Sequence, residues 1–451
     1  MARTRRRVNL LAVAEVLHEH LTEALCASVW REVREKERER ELGLSVLISF
    51  WTAVILRAPP SLTHALNQAA RTEGSDYPRV DVTPQAFFSR CQNLKAEFFE
   101  RLFDQVRARL EAEEPPRFAR DCHEVAERFG GRLWVMDGSS LDGVARRLRV
   151  LRNDRRVPIP GMVLALYDVC RGRLARLRHT RELQPQESPC ALQLLAEVPE
   201  GTLVVADRLY GHPVFLQEAG KRGVHLLVRR HRQVNFEADR QISCRNVGDA
   251  VIEEWIGTYG TAPRTQGQKV RLIRRREGRR VFEVVTDILQ PERLSAEEAL
   301  DLYRVRWRVE RLFFELKEVL NLHRFYAANI NAVAMQVFAA AIVHLALRVA
   351  QSRIAHSVGR EPEALSTQKL FPKVAAASAS LTTAETTYKA VQRANPDVRL
   401  KKPSWRRMSW AWAPLEDVLV EPRGPGGRKT RIKPNGRSLR RLPLPRSERA
   451  N

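Results

Sequence analysis

The sequence predicts a protein of the α/β or α+β class that begins with a helical region. Three observations lead to this prediction. Apolar residues recur at helical spacing through about the first 115 residues. From Arg132 the pattern changes to short apolar strands that alternate with helical segments. A β-rich stretch at about residues 231–287 is then followed by an amphipathic helix predicted from Asp301 to His323.

Composition indicates a folded and strongly basic protein. Of its 451 residues, 44% are hydrophobic and 29% are charged, which suits roughly two or three domains with a sizeable core. The 77 Lys and Arg residues exceed the 53 Asp and Glu residues, so the formal net charge is +24. This charge favours a polyanionic partner, nucleic acid above all. A membrane partner is disfavoured because the basic residues are spread along the chain rather than gathered on one amphipathic anchor.

The cysteines and the apolar segments indicate where in the cell the protein is expected to act. The six cysteines form no CxxC pair and no Cys/His ligand spacing, so neither a zinc site nor a disulfide framework is indicated. A reducing cytoplasm fits this usage. The basic start of the chain turns polar before a signal-peptide core is complete. The apolar runs at 44–56 and 332–347 are too short or too interrupted to span a bilayer, and we expect buried helices there.

Residues 1–125 are predicted to form an all-helical, DNA-binding N-terminal domain. Thr83 and Pro84 make an N-cap and first-turn pair that opens a helix. Between its apolar positions this helix carries Gln85, Ser89, Arg90 and Gln92. It is a candidate for reading DNA in a groove. A plain bundle helix explains the same pattern at least as well.

Residues 126–345 are predicted to form the sheet-containing domain. The segment LWVMDGSS predicts a buried strand that ends at Asp137, and TLVVADR predicts another that ends at Asp207. Between them, VLALYDVCRGRLARLRH predicts two strands joined at Arg171-Gly172. Helices are predicted at PCALQLLAEV and PVFLQEAGKRG, and a strand at HLLVRR. Within the β-rich stretch a hairpin is predicted around Glu277-Gly278.

The C-terminal part is predicted to be helical at 346–395 and a basic, disordered tail at 396–451. From 422 onward ten Lys or Arg residues face a single acid, Glu448, among many Pro and Gly residues. Non-specific contact with phosphates suits this composition. A solvated, dispensable tail is equally compatible with it.

The helix predicted from residue 301 carries four polar residues, here named the quartet: Tyr303, Arg306, Glu310 and Lys317. Their spacings of three, four and seven place them within roughly 60° of arc on one helix face. A carboxylate beside cations is what phosphodiester chemistry requires. A solvated face, with Glu310 paired to Arg306 and Arg311, is the alternative, and for an arbitrary helix it is favoured.

Three acids, here named the acidic triad, are Asp137, Asp207 and Glu310. Brought together, they could hold two Mg²⁺ or Mn²⁺ ions, one activating water or a 3′-hydroxyl and the other stabilising the leaving oxygen. Taken singly, each Asp is better explained as a turn or cap residue. Lower-ranked alternatives are Asp142, Asp287 and Glu315.

These residues resemble the DDE transposases of bacterial insertion sequences, specifically the insertion sequence four branch. The spacing of the quartet matches the Y-R-E-K signature of that family at every position. DGSS at Asp137 and ADRLYG at Asp207 are similar to the motifs around its other two acids. The resemblance covers roughly residues 40–345.

The resemblance implies a ribonuclease H-like catalytic core with the β-rich stretch inserted between Asp207 and Glu310. It makes the acidic triad the catalytic, metal-binding residues. The implied or candidate DNA contacts are Tyr303, Arg306, Lys317, Phe282, Arg208 and Tyr210. Phe282 stands where related enzymes carry a Trp that stacks on a base flipped from a hairpin end. A core strand position is the alternative for this side chain.

The implied activity is cut-and-paste excision and integration of the protein's own insertion sequence. Its partners are then double-stranded DNA, as terminal inverted repeats and as target, and a second copy of the chain in a synaptic dimer. The implied location is the bacterial cytoplasm, at the nucleoid. Two other functions stay open: a catalytically retired, repurposed sequence-specific DNA-binding protein, and a metal-dependent nuclease on the same core. The quartet argues against the nuclease, which has less use for clamping a terminal phosphate.

Overall fold

A mixed α/β architecture is seen in the computed structural model. It describes residues 6–34, 43–71, 73–140, 162–180, 186–260, 267–322, 325–326, 329–396, 401 and 403–421. Its centre is a nine-stranded sheet with helices on both faces.

The N-terminal part is mostly helical. Its described helices are α1 (Ala12–His20), α2 (Glu23–Val33), α3 (Leu44–Arg57), α4 (Leu62–Ala69), α5 (Pro84–Asn93), α6 (Glu97–Glu113) and α7 (His123–Glu127). The Thr83 side chain caps α5 by accepting a hydrogen bond from the Ala86 N–H. On this candidate DNA-reading helix Arg90 is buried, with its guanidinium 5.6 Å from the Trp30 ring centroid. Arg90 therefore belongs to the core rather than to a DNA-facing surface.

A short two-stranded ribbon joins the two ends of the described chain. Strand β1 (Arg7–Asn9) pairs antiparallel with β11 (Trp412–Pro414), so the expectation of an all-helical N-terminal region is wrong at its start. Residues 403–421 also differ from the expected disordered tail. Leu415 and Val418 are buried there, because apolar side chains interrupt the basic composition in this segment. Residues 422–451 lie outside the described residues.

The sheet has the strand order β4-β3-β2-β5-β6-β10-β9-β8-β7. The strands are β2 (Leu133–Ser140), β3 (Met162–Asp168), β4 (Arg173–His179), β5 (Leu203–Ala206), β6 (His225–Arg229), β7 (Phe236–Val247), β8 (Ala250–Tyr259), β9 (Gln268–Glu277) and β10 (Arg280–Thr286). Strands β2, β5 and β6 are parallel to one another, and the other neighbours are antiparallel. The β-rich stretch thus continues the central sheet through β10 instead of forming a separate one.

Both faces of the parallel strands are apolar and covered. On one face Val135, Val205 and Leu227 join the core shared with the N-terminal helices. On the other face, Met136 and Val204 pack in a second core with the helices that follow β4 and β5. Those helices are α8 (Glu187–Leu195) and α9 (Pro213–Gly220). Continuous apolar strands are expected where helices bury a sheet from both sides.

The helix predicted from Asp301 to His323 is present from Ala296 to Val319, but it is not regular throughout. It consists of α10 (Ala296–Val305), α11 (Trp307–Phe314) and a π-helical turn (Glu315–Val319). At the break, the N–H of Arg306 bonds to the Tyr303 carbonyl, three residues back. At the π turn the Leu320 N–H reaches five residues back to Glu315. The backbone therefore tightens and then widens along the segment that carries the quartet.

Two long helices complete the described chain, α12 (Ile330–Ser357) and α13 (Thr367–Ala394). By length and composition α12 could cross a membrane, with a mean hydropathy of 1.9 in its most apolar window, yet 89% of that window is buried inside the protein. It packs against α1, α3, α6 and β4. The described helices offer one other candidate, the pair α3 and α4, which is bent by 120°. The buried position of α12 is that of a core helix.

Candidate active site

Asp137 and Asp207 are adjacent in the sheet. Strands β2 and β5 pair in parallel up to Met136 opposite Ala206, and the two aspartates are the next residues. Asp207 ends its strand as predicted and begins a short 3₁₀ turn. Asp137 does not end its strand, because β2 continues to Ser140 in its pairing with β3. Both carboxylates therefore stand where the parallel ladder stops, although β2 itself runs on.

The Asp137 carboxylate is largely buried, with 19% of its side chain exposed. Burial raises its pKa to about 6, and the charge of Asp207 adds to this. Two contacts lower the pKa of Asp137: a hydrogen bond from the Gly138 N–H at 2.9 Å and the Arg306 guanidinium 3.9 Å away. The local environment thus disfavours the charged carboxylate unless more positive charge is supplied.

Arg306 lies between two members of the acidic triad. Its Nη1 is 3.9 Å from Asp137 Oδ2, and its Nη2 is 2.9 Å from Glu310 Oε1. Only 11% of its side chain is exposed, whereas that of Glu310 is 41% exposed. The predicted pairing of Glu310 with Arg306 is therefore present, but it occurs at the sheet edge beside Asp137 rather than on a solvated face.

The other cationic and phenolic members of the quartet reach the same edge. The Tyr303 hydroxyl donates a hydrogen bond to Asp207 Oδ1 at 3.2 Å. Burial, and then the charge of Asp207, raise the pKa of Tyr303 to about 12, so the phenol stays a donor. Lys317 Nζ donates to the Ser139 hydroxyl in β2. The quartet thus faces the ends of β2 and β5 despite the break in the helix.

The carboxylates fit a divalent metal ion in chemistry but only partly in position. Oxygen ligands of this type suit Mg²⁺ and Mn²⁺, and Asp137 and Asp207 are side by side. Within the described ranges, however, no three His, Cys, Asp or Glu side chains lie close enough to hold one ion. Glu310 is paired with Arg306 instead.

Tyr210 lies in the interior of the protein. Its side chain is fully buried, its hydroxyl donates to Glu187 Oε1 at 2.5 Å, and its ring packs edge-on against Phe215. The prediction of a DNA contact by Tyr210 is wrong for this structure, because the phenol has no access to solvent. Arg208 is half-buried, and its charge acts with burial to lower the pKa of Arg229. A DNA contact by Arg208 stays a prediction.

The lower-ranked acids do not join the site in the described residues. Asp142 lies outside them. Asp287 accepts hydrogen bonds from His225 Nδ1 at 2.6 Å and from the Leu226 N–H at 2.7 Å. Since His225 begins β6 and pairs with the start of β5, Asp287 is at the opposite end of the strands from Asp207.

Glu315 is buried beneath the quartet. It pairs with His344 at 3.2 Å, Arg311 at 3.3 Å and Arg348 at 3.8 Å. Although burial acts to raise the pKa of Glu315, these three partners lower it to about 2, with Arg348 the largest contributor. Glu315 therefore holds the π turn against α12 and is not a free site acid.

A cavity of about 400 Å³ opens beside Asp207 and is lined by arginines and aromatic rings. Phe282 lies in it, with its ring centroid 5.3 Å from that of Tyr303 and the Arg229 guanidinium 5.4 Å away. Trp307, which is 62% exposed, lies in the same cavity wall and escaped the sequence analysis. Its position directly after Arg306 of the quartet could have marked Trp307 as a site residue. Stacking of Phe282 on a DNA base stays a prediction.

Comparison with known proteins identifies the segment around this site. Residues 159–346 match the family model described as a transposase DDE domain. The matched segment includes Asp207 and the whole quartet, whereas Asp137 precedes it. The resemblance to insertion-sequence transposases inferred from the sequence is confirmed.

Two relatives show how far the likeness extends. The "Probable transposase for insertion sequence element IS5377" of Geobacillus stearothermophilus is 37% identical over 84 residues, 19% of this chain and 21% of that protein. A Synechocystis protein named as a transposase for insertion sequence element IS4SA is 33% identical over 72 residues, 15% of this chain and 21% of that protein. The chain thus spans about a fifth of the length of these relatives.

One solved structure is similar over most of this chain. It is a cryo-EM structure of the piggyBac transposase synaptic complex with hairpin DNA. The similarity covers 90% of this chain and 88% of that one, at 9% sequence identity and a TM-score of 0.40.

Proposed function

We propose that this protein is a DNA transposase that excises and integrates its own insertion sequence by metal-dependent phosphodiester hydrolysis and strand transfer. One observation carries the proposal: Asp137 and Asp207 stand side by side where the parallel ladder ends, with the quartet facing them. The DDE domain match and the names of the relatives support it.

We propose a ribonuclease H-like catalytic core made of β2 to β6, with β7 to β10 as the insertion between Asp207 and Glu310. The order β4-β3-β2-β5-β6, with a parallel trio and two antiparallel strands, supports this core. The proposed domains are helical at 1–125, catalytic at 126–345 and helical at 346–395. Residues 396–451 are proposed as a separate basic region because of their composition. Within this region, residues 403–421 pack on the N-terminal part through β11.

The acidic triad is proposed to hold two Mg²⁺ or Mn²⁺ ions. When bound, such ions supply an activated water or 3′-hydroxyl and stabilise the leaving oxygen. The raised pKa of Asp137 supports this, since the pocket disfavours an uncompensated carboxylate. Tyr303 keeps Asp207 in place through its hydrogen bond. Arg306 is proposed to transfer its guanidinium from Glu310 to a DNA phosphate, which frees the Glu310 carboxylate.

The proposed partners are the terminal inverted repeats, the target duplex and a second copy of the chain in a synaptic dimer. The net charge of +24 and the arginines of the cavity beside Asp207 support binding to phosphates. The proposed place of action is the bacterial cytoplasm at the nucleoid.

The test is a cleavage and strand-transfer assay with purified protein, Mg²⁺ and DNA that carries the sequences flanking the gene. We expect Asp137→Asn, Asp207→Asn and Glu310→Gln each to abolish cleavage while DNA binding persists, because each removes a proposed metal ligand. Asp249→Asn is the control, since Asp249 is an exposed acid in the turn between β7 and β8.

Each alternative has its own signature in this assay. Cleavage that persists in all three variants contradicts the proposed site. Binding of the flanking DNA by the wild-type protein without any cleavage identifies a repurposed DNA-binding protein. Cleavage without joining of the freed 3′ end, and without preference for the flanking sequences, identifies a nuclease.

A further inference from the structure

A fourth carboxylate, that of Glu187, lies against Gly138 and Tyr210, which belong to the segments of the two aspartates. Glu187 begins α8, and its side chain covers the backbone of Gly138, the residue after Asp137. A Cβ atom on Gly138 would meet Glu187 Oε1 at 2.7 Å, so a larger residue there would displace this carboxylate. The negative charge of Glu187 also contributes to the raised pKa of Asp137.

Glu187 is tied to the segment of the other aspartate as well. Tyr210 donates its phenol hydrogen to Glu187 Oε1 at 2.5 Å. The Tyr210 N–H bonds to the Asp207 carbonyl at 3.1 Å, so the turn that carries the phenol begins at Asp207. Because Tyr210 is fully buried against Phe215, its hydroxyl has little freedom to turn elsewhere. One carboxylate therefore contacts both aspartate-bearing segments.

Several carboxylates act on this pocket. Burial raises the pKa of the Tyr210 phenol, and the negative charges of Glu187, Asp137 and Asp207 raise it further. Arg306 pairs with Asp137. Within the described ranges no Lys, Arg or His forms an ion pair with Glu187. Clustered carboxylates of this kind repel one another, and a multivalent cation relieves the repulsion.

We propose that Glu187 is a positioning residue of the catalytic centre. Its carboxylate braces the Asp207 turn through Tyr210, and its negative charge strengthens the binding of divalent ions by Asp137 and Asp207. It acts through these neighbours and does not bind the ion itself. The inference rests on the proposed function and adds to it a residue outside both the acidic triad and the quartet. Groups that orient metal ligands in this way commonly change metal affinity by about 10- to 100-fold.

The experiment is a calorimetric titration of Mn²⁺ into the full-length, DNA-free protein. We expect Glu187→Gln, which keeps the shape and the acceptor for Tyr210 but removes the charge, to weaken Mn²⁺ binding about tenfold. Glu187→Asp keeps the charge and should recover part of the loss. The matched control is Glu218→Gln, which removes a partly exposed carboxylate of α9 that is paired with Lys221, and it should bind Mn²⁺ like the wild type.

A second readout follows the reaction. The Mg²⁺ concentration that gives half-maximal cleavage should rise in Glu187→Gln by the same factor as the Mn²⁺ dissociation constant. The maximal rate at saturating Mg²⁺ should change much less, because the acidic triad is intact. A lower maximal rate with unchanged metal affinity would overturn the inference.

Several results separate this inference from the proposed function. Unchanged Mn²⁺ affinity in Glu187→Gln, beside a loss in Asp137→Asn and Asp207→Asn, overturns the inference and leaves the proposed function standing. Unchanged affinity in the aspartate variants overturns both. Equal losses in Glu187→Gln and Glu187→Asp, together with lower melting temperatures for both, show a defect of folding and overturn the inference too.

Discussion

Without a bound metal ion, the charged form of the Asp137 carboxylate destabilises the folded protein. Its folded-state pKa of about 6 exceeds the usual value of 3.8, so the folded protein holds the proton more tightly than the unfolded chain does. The corresponding stabilisation is complete below a pH of 3.8 and is lost as the pH rises through 6. Bound cations would restore stability at neutral pH by compensating the charge.

We predict that Asp137→Asn removes this pH dependence. In EDTA, the free energy of unfolding of the wild type, relative to this variant, should fall by about 2 kcal/mol between pH 4 and pH 7. Urea denaturation of both proteins at the two pH values measures the difference. Asp249→Asn should follow the wild type at both. Parallel stability curves for the wild type and Asp137→Asn would show that the carboxyl is not perturbed.

At the scale of the element, the segment from Ala296 to Val319 is not a uniform helix. The tight turn at Arg306 and the π turn at Glu315 divide it, yet Tyr303, Arg306 and Lys317 all contact β2 or the Asp207 position. Below it, Glu315 is held by His344 and Arg348 of α12. The buried ionic cluster therefore fixes the π turn on the core.

We predict that Glu315→Gln lowers the free energy of unfolding by roughly 3 kcal/mol, because it leaves the buried Arg348 without its charge partner. Glu310→Gln is the matched control on the same segment and should cost less than about 1 kcal/mol, since that carboxylate is 41% exposed. Chemical denaturation at pH 7 gives both values. Equal losses in the two variants would contradict this role.

The difference in unfolding free energy between the wild type and Glu315→Gln should depend on pH. The folded-state pKa of Glu315 is lowered to about 2 from the usual 4.5. Its stabilisation is therefore present above 4.5 and is lost as the pH falls toward 2. The gap between the wild type and Glu315→Gln should close on acidification.

At the scale of the whole molecule, the sheet is enclosed between two apolar cores, and both ends of the described chain meet in the β1–β11 ribbon. The basic residues beyond Glu421 add ten positive charges against Glu448 alone. Charges of this kind bind phosphates by releasing counterions, so their effect on affinity depends on salt.

We predict that truncation after Glu421 makes non-specific DNA binding less dependent on salt. The slope of log Kd against log salt concentration, measured by fluorescence anisotropy with a random duplex, should become less steep by several units. A chain whose residues 422–451 are shuffled keeps the charge and should keep the slope. If truncation leaves the slope unchanged, the tail does not contact phosphates.

Some features of this protein follow from the sequence by itself. The cap at Thr83, the turns at Gly172 and Gly278, and the spacing of the quartet depend on residues close together in the chain. Gly172 and Gly278 both have positive φ, 64° and 55°, which explains why glycine marks these hairpins. Local chemistry of this kind can be read without knowing what each segment packs against.

Other features were decided only by the tertiary structure. Asp137 and Asp207 are neighbours because β2 pairs in parallel with β5, which no local pattern reveals. The burial of Tyr210 and the contact of Glu187 with Gly138 also depend on segments that are distant in the sequence. The irregular turn at Arg306 is also not evident from the sequence, whose helical periodicity runs through it. Sequence determined the chemical groups, whereas long-range packing decided which of them meet.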